Sequence, residues 1–179
     1  MKVFLRHILV TVIAAVAIFF LLQATVQSSI VVGSSMQPNF EEGQRLLVNK
    51  AVYAFHPPER GDVIIFQHGS AGKDYIKRII GLPSEEVEIR EGTVYIYKGG
   101  EVFPLDEYAY IDNPLKYTFQ RNAIPVDNYF VLGDNRNNSN DSHNGWTVSR
   151  QDIIGKAWIS VWPPSEWGLI PNYSYDNSE

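Results

Sequence analysis

The 179-residue chain contains no cysteine, which excludes disulfides, thiolate zinc sites and a cysteine nucleophile. Such a chain tolerates an oxidising exterior. It also lacks any clustered basic stretch and carries a formal net charge of −5 at pH 7. A general nucleic-acid binder would display a basic patch or stripe. Beyond residue 27 no long segment repeats apolar residues with a 3.6-residue period, so helices there should be few and short. Internal repeats are absent. The length suits one compact domain plus a small appendage, and leaves no room for two sizeable cores.

What the chain does have, first, is an apolar run. Ile8 to Leu22 is unbroken by charge and continues loosely through Ala24 and Val26, near the lower limit of the roughly 17–25 residues that cross a bilayer. Lys2 and Arg6 precede it, His7 stands at its edge, and the next basic residue is Arg45. The positive-inside rule puts residues 1–7 in the cytoplasm, a single anchor at 8–26, and residues 27–179 outside the cell membrane. A cleavable signal peptide has a similar charged start and apolar core, but residues 23–27 form a poor small-x-small cleavage site. A buried core helix would need a polar face, which this run lacks.

After the anchor the texture changes to short runs of Val, Ile, Tyr and Phe separated by Gly, Pro, Asn and Asp. The expected strands are Ser28–Val32, Arg45–Val48, Asp62–Phe66, Tyr75–Ile80, Val87–Arg90, Thr93–Tyr97, Tyr129–Leu132 and Lys156–Val161. Glu91-Gly92 reads as a hairpin turn, and Ser149 as the cap of one brief helical turn through Ile153. The fold class is mostly β: a folded antiparallel sheet or barrel-like domain behind one N-terminal transmembrane helix. Leu105 to Pro125 is looser and reads as an inserted loop or small subdomain. Asn172 to Glu179 is polar and expected to fray.

Three segments invite chemistry. Gly33-Ser34-Ser35-Met36-Gln37-Pro38 ends the first exported strand about nine residues past the apolar run, within ~30 Å of the membrane at ~3.4 Å per residue. An ordinary Gly-Ser turn would look the same. A serine nucleophile needs a base, and the histidines are poorly placed: His7 lies at the membrane edge, His56 and His68 in turns, and only His143 in a suggestive setting. Lys77 sits within the β-rich run from Lys73 to Pro83, sharing a face with Tyr75 and Ile79 while Arg78 shares the other with Ile76 and Ile80. Burial there would lower the pKa of its ammonium, as a lysine general base requires, whereas a lysine reaching out to water would keep its charge. Finally, Gly133 to Gly145 is dense in Asn, Asp and Ser. It reads equally as a solvated turn or as a self-bonded brace. The EF-hand calcium pattern fails, because Arg136 occupies the third ligand position.

Together and in this order, the segments resemble the motifs of bacterial type I signal peptidases, in the compact single-anchor form typical of Gram-positive bacteria. Residues 33–38 resemble the nucleophile motif, in which the serine directly before Met attacks, so the resemblance selects Ser35 over Ser34. Arg60-Gly61-Asp62-Val63-Ile64-Ile65-Phe66 resembles the structural strand of the family, and Lys77-Arg78-Ile79-Ile80-Gly81-Leu82-Pro83 the motif of the catalytic lysine. Gly133 to Ser142 resembles the last motif. There Ser139 is implied to hydrogen-bond Lys77, Asp134 to pair with Arg78, and Asp141 to belong to the same brace. The implied activity is membrane-bound serine endopeptidase cleavage of signal peptides from exported preproteins after a small-x-small motif, without cofactor or metal, by a monomer at the lipid bilayer. Ser28, Ile30, Val32 and Met36 are implied to contact the extended peptide. The alternatives are a related Ser-Lys peptidase for another membrane precursor, and a non-catalytic anchored binding domain.

The chain departs from the family pattern at four places. Asn39 replaces a common Thr, and Ser84-Glu85 a common Gly-Asp. Gly33 lacks the hydroxyl that some members aim at the oxyanion, leaving the hole to main-chain N–H groups, chiefly that of Ser35. His143 stands where an Arg usually pairs with the acid equivalent to Asp141, so the brace is expected to weaken as pH rises past the ordinary imidazole range, about 6.5.

Overall fold

The computed structural model describes residues 2–69, 72–173 and 175. Its first element, α1 (Lys2–Thr25), is one continuous helix, and Val3–Thr25 is long and apolar enough to cross a membrane. Side chains 3–24 are exposed around the whole circumference, as befits a helix apolar on all sides. The helix begins earlier than the expected anchor start at residue 8, because the helical backbone tolerates Arg6 and His7. It passes without a linker into β1 (Val26–Ile30).

The remaining strands are β2 (Arg45–Asn49), β3 (Val63–Gln67), β4 (Asp74–Gly81), β5 (Glu86–Arg90), β6 (Thr93–Lys98), β7 (Glu101–Pro104), β8 (Phe119–Ala123), β9 (Asn128–Leu132), β10 (Val148–Ser149), β11 (Ile153–Trp162) and β12 (Gly168–Leu169). The larger sheet runs β1-β2-β11-β3-β4-β9-β10, with β12 also on β11; the smaller runs β7-β6-β5-β8. The pairings are antiparallel. All eight strands expected from the sequence are present with shifted ends. The β5–β6 turn places Glu91 at φ 50° and Gly92 at φ 77°, the two left-handed residues of a type I′ hairpin. Ser149 accepts a hydrogen bond from Gln151 N at 3.3 Å and caps the short 3-10 turn Arg150–Asp152.

Two expectations change. Residues 105–125 are not simply a loop. Their last part supplies β8, where Phe119 packs on the core but the other four side chains are exposed and show no apolar alternation, and whose strand character comes from pairing with β5. Leu105, Tyr110, Leu115 and Ile124 join the core of the smaller sheet. The C-terminus is not wholly frayed either: Tyr175 is buried and Tyr173 packs against the same core, while 174 and 176–179 lie outside the described residues.

Three apolar clusters hold the sheets together, and β4 serves all of them. Ile76 belongs to the cluster with Met36 and Leu46, Ile79 to that with Phe66 and Val131, and Ile80 to that with Val87 and Leu132. Residues 76–81 are consequently buried on both faces, which is why the run reads as almost continuously apolar. Strand β11 bends tightly over β2. A Cβ on Gly155 would lie 2.5 Å from the carbonyl oxygen of Asn49, a backbone atom that cannot swing aside. Gly155→Ala is therefore expected to lower stability by about 1–3 kcal/mol, the usual cost of overpacking, measured as a fall in the urea midpoint.

Candidate active site

The chain leaves β1 through buried Val31 and exposed Val32, then turns at Gly33, whose φ of +82° suits glycine. Ser35 follows, and Met36 anchors the turn from beneath: it is fully buried beside Val31, Phe40 and Leu46. Met36 was expected to touch the peptide. It does not reach the surface, because its side chain is part of the apolar core, so its contribution is to seat the turn.

Lys77 approaches from β4, with three strands between it and β1 in sheet order, so the sheet must curl to bring the two together. Nζ of Lys77 lies 2.6 Å from Oγ of Ser35 and donates to the carbonyl of Ile76 at 2.9 Å. The lysine is 3% exposed. Burial pushes its pKa down to about 8, against the opposing pull of Asp141 and Asp134. A lysine so placed gives up its proton in the mildly alkaline range and can then accept one from the serine hydroxyl.

The Gly133–Gly145 loop folds as a brace. Asp134 accepts from Arg78 Nε at 2.8 Å and Nη2 at 2.7 Å, with both side chains buried. Arg78 Nη1 donates to Gly61 O at 2.9 Å. Asn135 N donates to Ser35 O and its Nδ2 to Ser34 O, each at 3.0 Å. Asn138 Nδ2 donates to Ser34 Oγ at 3.0 Å. Asp141 is fully buried and accepts from Gly133 N at 2.9 Å; its other oxygen meets Nδ1 of His143 at 2.6 Å. The His143 ring stacks on Tyr117 with centroids 4.3 Å apart. Its bonded ring nitrogen thus serves Asp141 and not Ser35.

Ser139 differs from expectation. Its Oγ is buried without a hydrogen-bond partner among the described residues, and the Lys77 contacts go to Ser35 and Ile76 instead. Its position is nevertheless close: a Cβ on Gly133 would collide with both Ser139 Oγ and Ser35 O. Gly133 is the residue that lets the loop press against the Ser35 turn.

An open groove of about 900 Å³ runs past Ser35 and Lys77, lined by residues 28–35 of the β1 edge and 73–77 of β4. Ser28, Ile30 and Val32 are exposed while Val31 is buried, so the first three share one face of the edge. Among the described residues no group of three or more His, Asp or Glu could hold a metal ion.

Sequence reasoning missed the roles of Asn135, Asn138 and Asn39. Asn39 donates to Tyr110 O at 2.8 Å and to Asp134 at 2.9 Å; the density of Asn in the loop was the one available signal. The Ser84-Glu85 departure is also accommodated. Ser84 takes the left-handed conformation at φ 67°, and Glu85 pairs with buried Arg60 at 2.8 Å and accepts from Leu82 N.

A family profile described as signal peptidase, peptidase S26, matches residues 4–162. A probable signal peptidase I-1 of Synechocystis is 42% identical over 79% of this chain and 74% of its own. A signal peptidase I of Leptolyngbya laminosa is 45% identical over 79% and 71%. Signal peptidase IB of Staphylococcus aureus is 31% identical over 99% and 98%.

The Arg78–Asp134 pair yields a stability prediction. Arg78→Met removes the partner of a buried carboxylate, and breaking such a pair costs about 3–5 kcal/mol because the remaining charge is left uncompensated. Equilibrium denaturation of the variant at neutral pH measures it.

Proposed function

Because the chain belongs to the signal peptidase family, peptidase S26, we propose that it cleaves signal peptides with Ser35 as nucleophile and Lys77 as general base. Membership makes it a serine endopeptidase that removes signal peptides from preproteins. The observation that carries the residue assignment is the 2.6 Å contact between the buried Lys77 Nζ and Ser35 Oγ.

In the proposed reaction the preprotein lies extended along the free edge of β1, paired by main-chain hydrogen bonds in the manner of an added strand. Ser28, Ile30 and Val32 face it, and small side chains flank the scissile bond, giving the small-x-small preference. Neutral Lys77 takes the Ser35 proton as Oγ attacks the scissile carbonyl. The tetrahedral oxyanion is held by main-chain N–H groups, chiefly that of Ser35, since Gly33 offers no hydroxyl. Collapse breaks the C–N bond, and Lys77 returns the proton to the departing amine, the new N-terminus of the mature protein. Water, deprotonated by Lys77, then attacks the acyl ester and frees Ser35.

The helix fits this chemistry to its substrate. We place α1 across the membrane with Lys2 and Arg6 on the cytoplasmic side, so Ser35 works on the outer face, close to where a signal peptide would emerge from the bilayer. Trp158, Trp162 and Trp167 are 44%, 54% and 68% exposed, and belong to the lipid interface in this arrangement.

Ser35→Ala and Lys77→Met are each expected to reduce cleavage of a purified preprotein by at least about 1,000-fold, the scale on which such catalytic groups act. Wild-type turnover by either variant would refute the assignment. The pH dependence follows from Lys77, whose ammonium is inactive: kcat/KM should rise about tenfold per pH unit at low pH and level off above about 8.

A further inference from the structure

Lys77 and Arg78 are neighbours in an extended strand, so their side chains leave it on opposite sides. Lys77 goes to the groove. Arg78 goes to the back, where its guanidinium carbon lies 4.5 Å from the ring centre of Tyr110 and 4.9 Å from that of Tyr173. The two rings stack, with centroids 4.6 Å apart and planes 26° from parallel. Tyr175, buried behind them, meets Tyr110 edge-on at 6.4 Å and shares a hydrogen bond with its hydroxyl. The tail also presses on the strand turn before β3: a Cβ on Gly61 would collide with the carbonyl of Tyr173. Gly61 O is itself an acceptor for Arg78.

We infer that Tyr173 is a positioning residue for the Ser35–Lys77 pair, acting through Arg78 and Asp134 from the face of β4 opposite the groove. The inference rests on the catalytic reading of that pair. Its path is a series of direct contacts. Tyr173 and Tyr110 bear on the guanidinium. The guanidinium holds both oxygens of Asp134, to which Asn39 also donates. The next residue, Asn135, grips the carbonyls of Ser34 and Ser35. A shift of Arg78 therefore displaces the peptide that carries the nucleophile.

The aromatic face matters beyond its volume. The hydrogen bonds that Arg78 donates to Asp134 and Gly61 lie in the plane of the guanidinium. Its flat faces can be covered only by groups that need no hydrogen bond, and an aromatic ring adds electrostatic attraction where an aliphatic chain adds contact alone. Tyr175 helps to seat Tyr173 through Tyr110, which both of them touch. The C-terminal segment thus closes the site from behind although its described residues do not line the groove.

The test uses the full chain in detergent micelles with a preprotein substrate, comparing Tyr173→Phe, Tyr173→Leu and Tyr173→Ala with wild type. Folding is checked by near-ultraviolet circular dichroism at the assay temperature. Since misplacement of a reacting group by about 1 Å can cost about 100-fold, the Leu and Ala variants are expected to lose about 10-fold in kcat with KM within about twofold. Tyr173→Phe, which keeps the ring, should stay within about twofold of wild type. Leu restoring wild-type kcat would reduce Tyr173 to a volume filler and overturn the inference. So would Phe falling as far as Leu, or a loss confined to KM. If Tyr173→Ala does not fold, the comparison of Phe with Leu decides alone. Ser35→Ala is run alongside: if it still cleaves, the catalytic reading itself is wrong; if it is inactive while Tyr173→Leu is unaffected, only the positioning role fails.

Discussion

Lys77 and Arg78 are buried side by side on β4, the strand where the three apolar clusters of the domain meet. Each buried isoleucine of that strand contributes about 1.5–3 kcal/mol, whereas an unpaired buried ion costs several kcal/mol even after relaxation. The strand can hold its cations only if each is dealt with, and the two are dealt with differently. Arg78 cannot lose its proton, so it receives a bidentate carboxylate, a backbone carbonyl and aromatic faces. Lys77 can lose its proton, and its buried Nζ bonds to Ser35 and Ile76 and to no carboxylate among the described residues. Its pKa falls as a result.

That division explains the shape of the Gly133–Gly145 loop. Asp134 is bound to Arg78 on the back of the strand, and Asp141 is bound to Gly133 and His143. The hydrogen bonds of Lys77 go to Ser35 and Ile76 and to neither carboxylate, and each carboxylate raises the lysine's pKa only through space. Had either one paired with Nζ directly, the ammonium would be stabilised and the base lost. The loop therefore braces the Ser35 turn while directing its negative charge elsewhere, and Gly133 provides the close approach that this packing needs.

The anchor and the groove share one strand. Since α1 continues directly into β1, and no other strand of the described residues pairs with the outer edge of β1, the edge proposed to receive an extended peptide is tethered to the apolar helix. In the proposed arrangement, recognition and membrane attachment are two consequences of a single chain segment. Unpaired sheet edges are ordinarily an aggregation hazard; here the exposed Ile30 and Val32 line the groove.

Much of this was legible from residues alone. The apolar run, the eight apolar strands and the Glu91-Gly92 turn follow from local physics: hydrophobic period, length and the φ preferences of turn residues. The resemblance to signal peptidases singled out Ser35, Lys77 and the Arg78–Asp134 pair, because those residues stand in a recognisable order. Strand β8 was invisible, since it has no apolar alternation and exists only through its partner β5. Met36 was misplaced at the surface and Ser139 was given a bond to Lys77 that is not made, because both assignments depend on side-chain direction. The Tyr173–Arg78 contact joins positions 95 residues apart (173 − 78), and nothing local signals it. The sequence by itself determined which groups could do the chemistry and which segments would be strands. The burial that lowers the pKa of Lys77 was decided only by the tertiary structure, which packs β4 among apolar clusters and brings it beside the Ser35 turn.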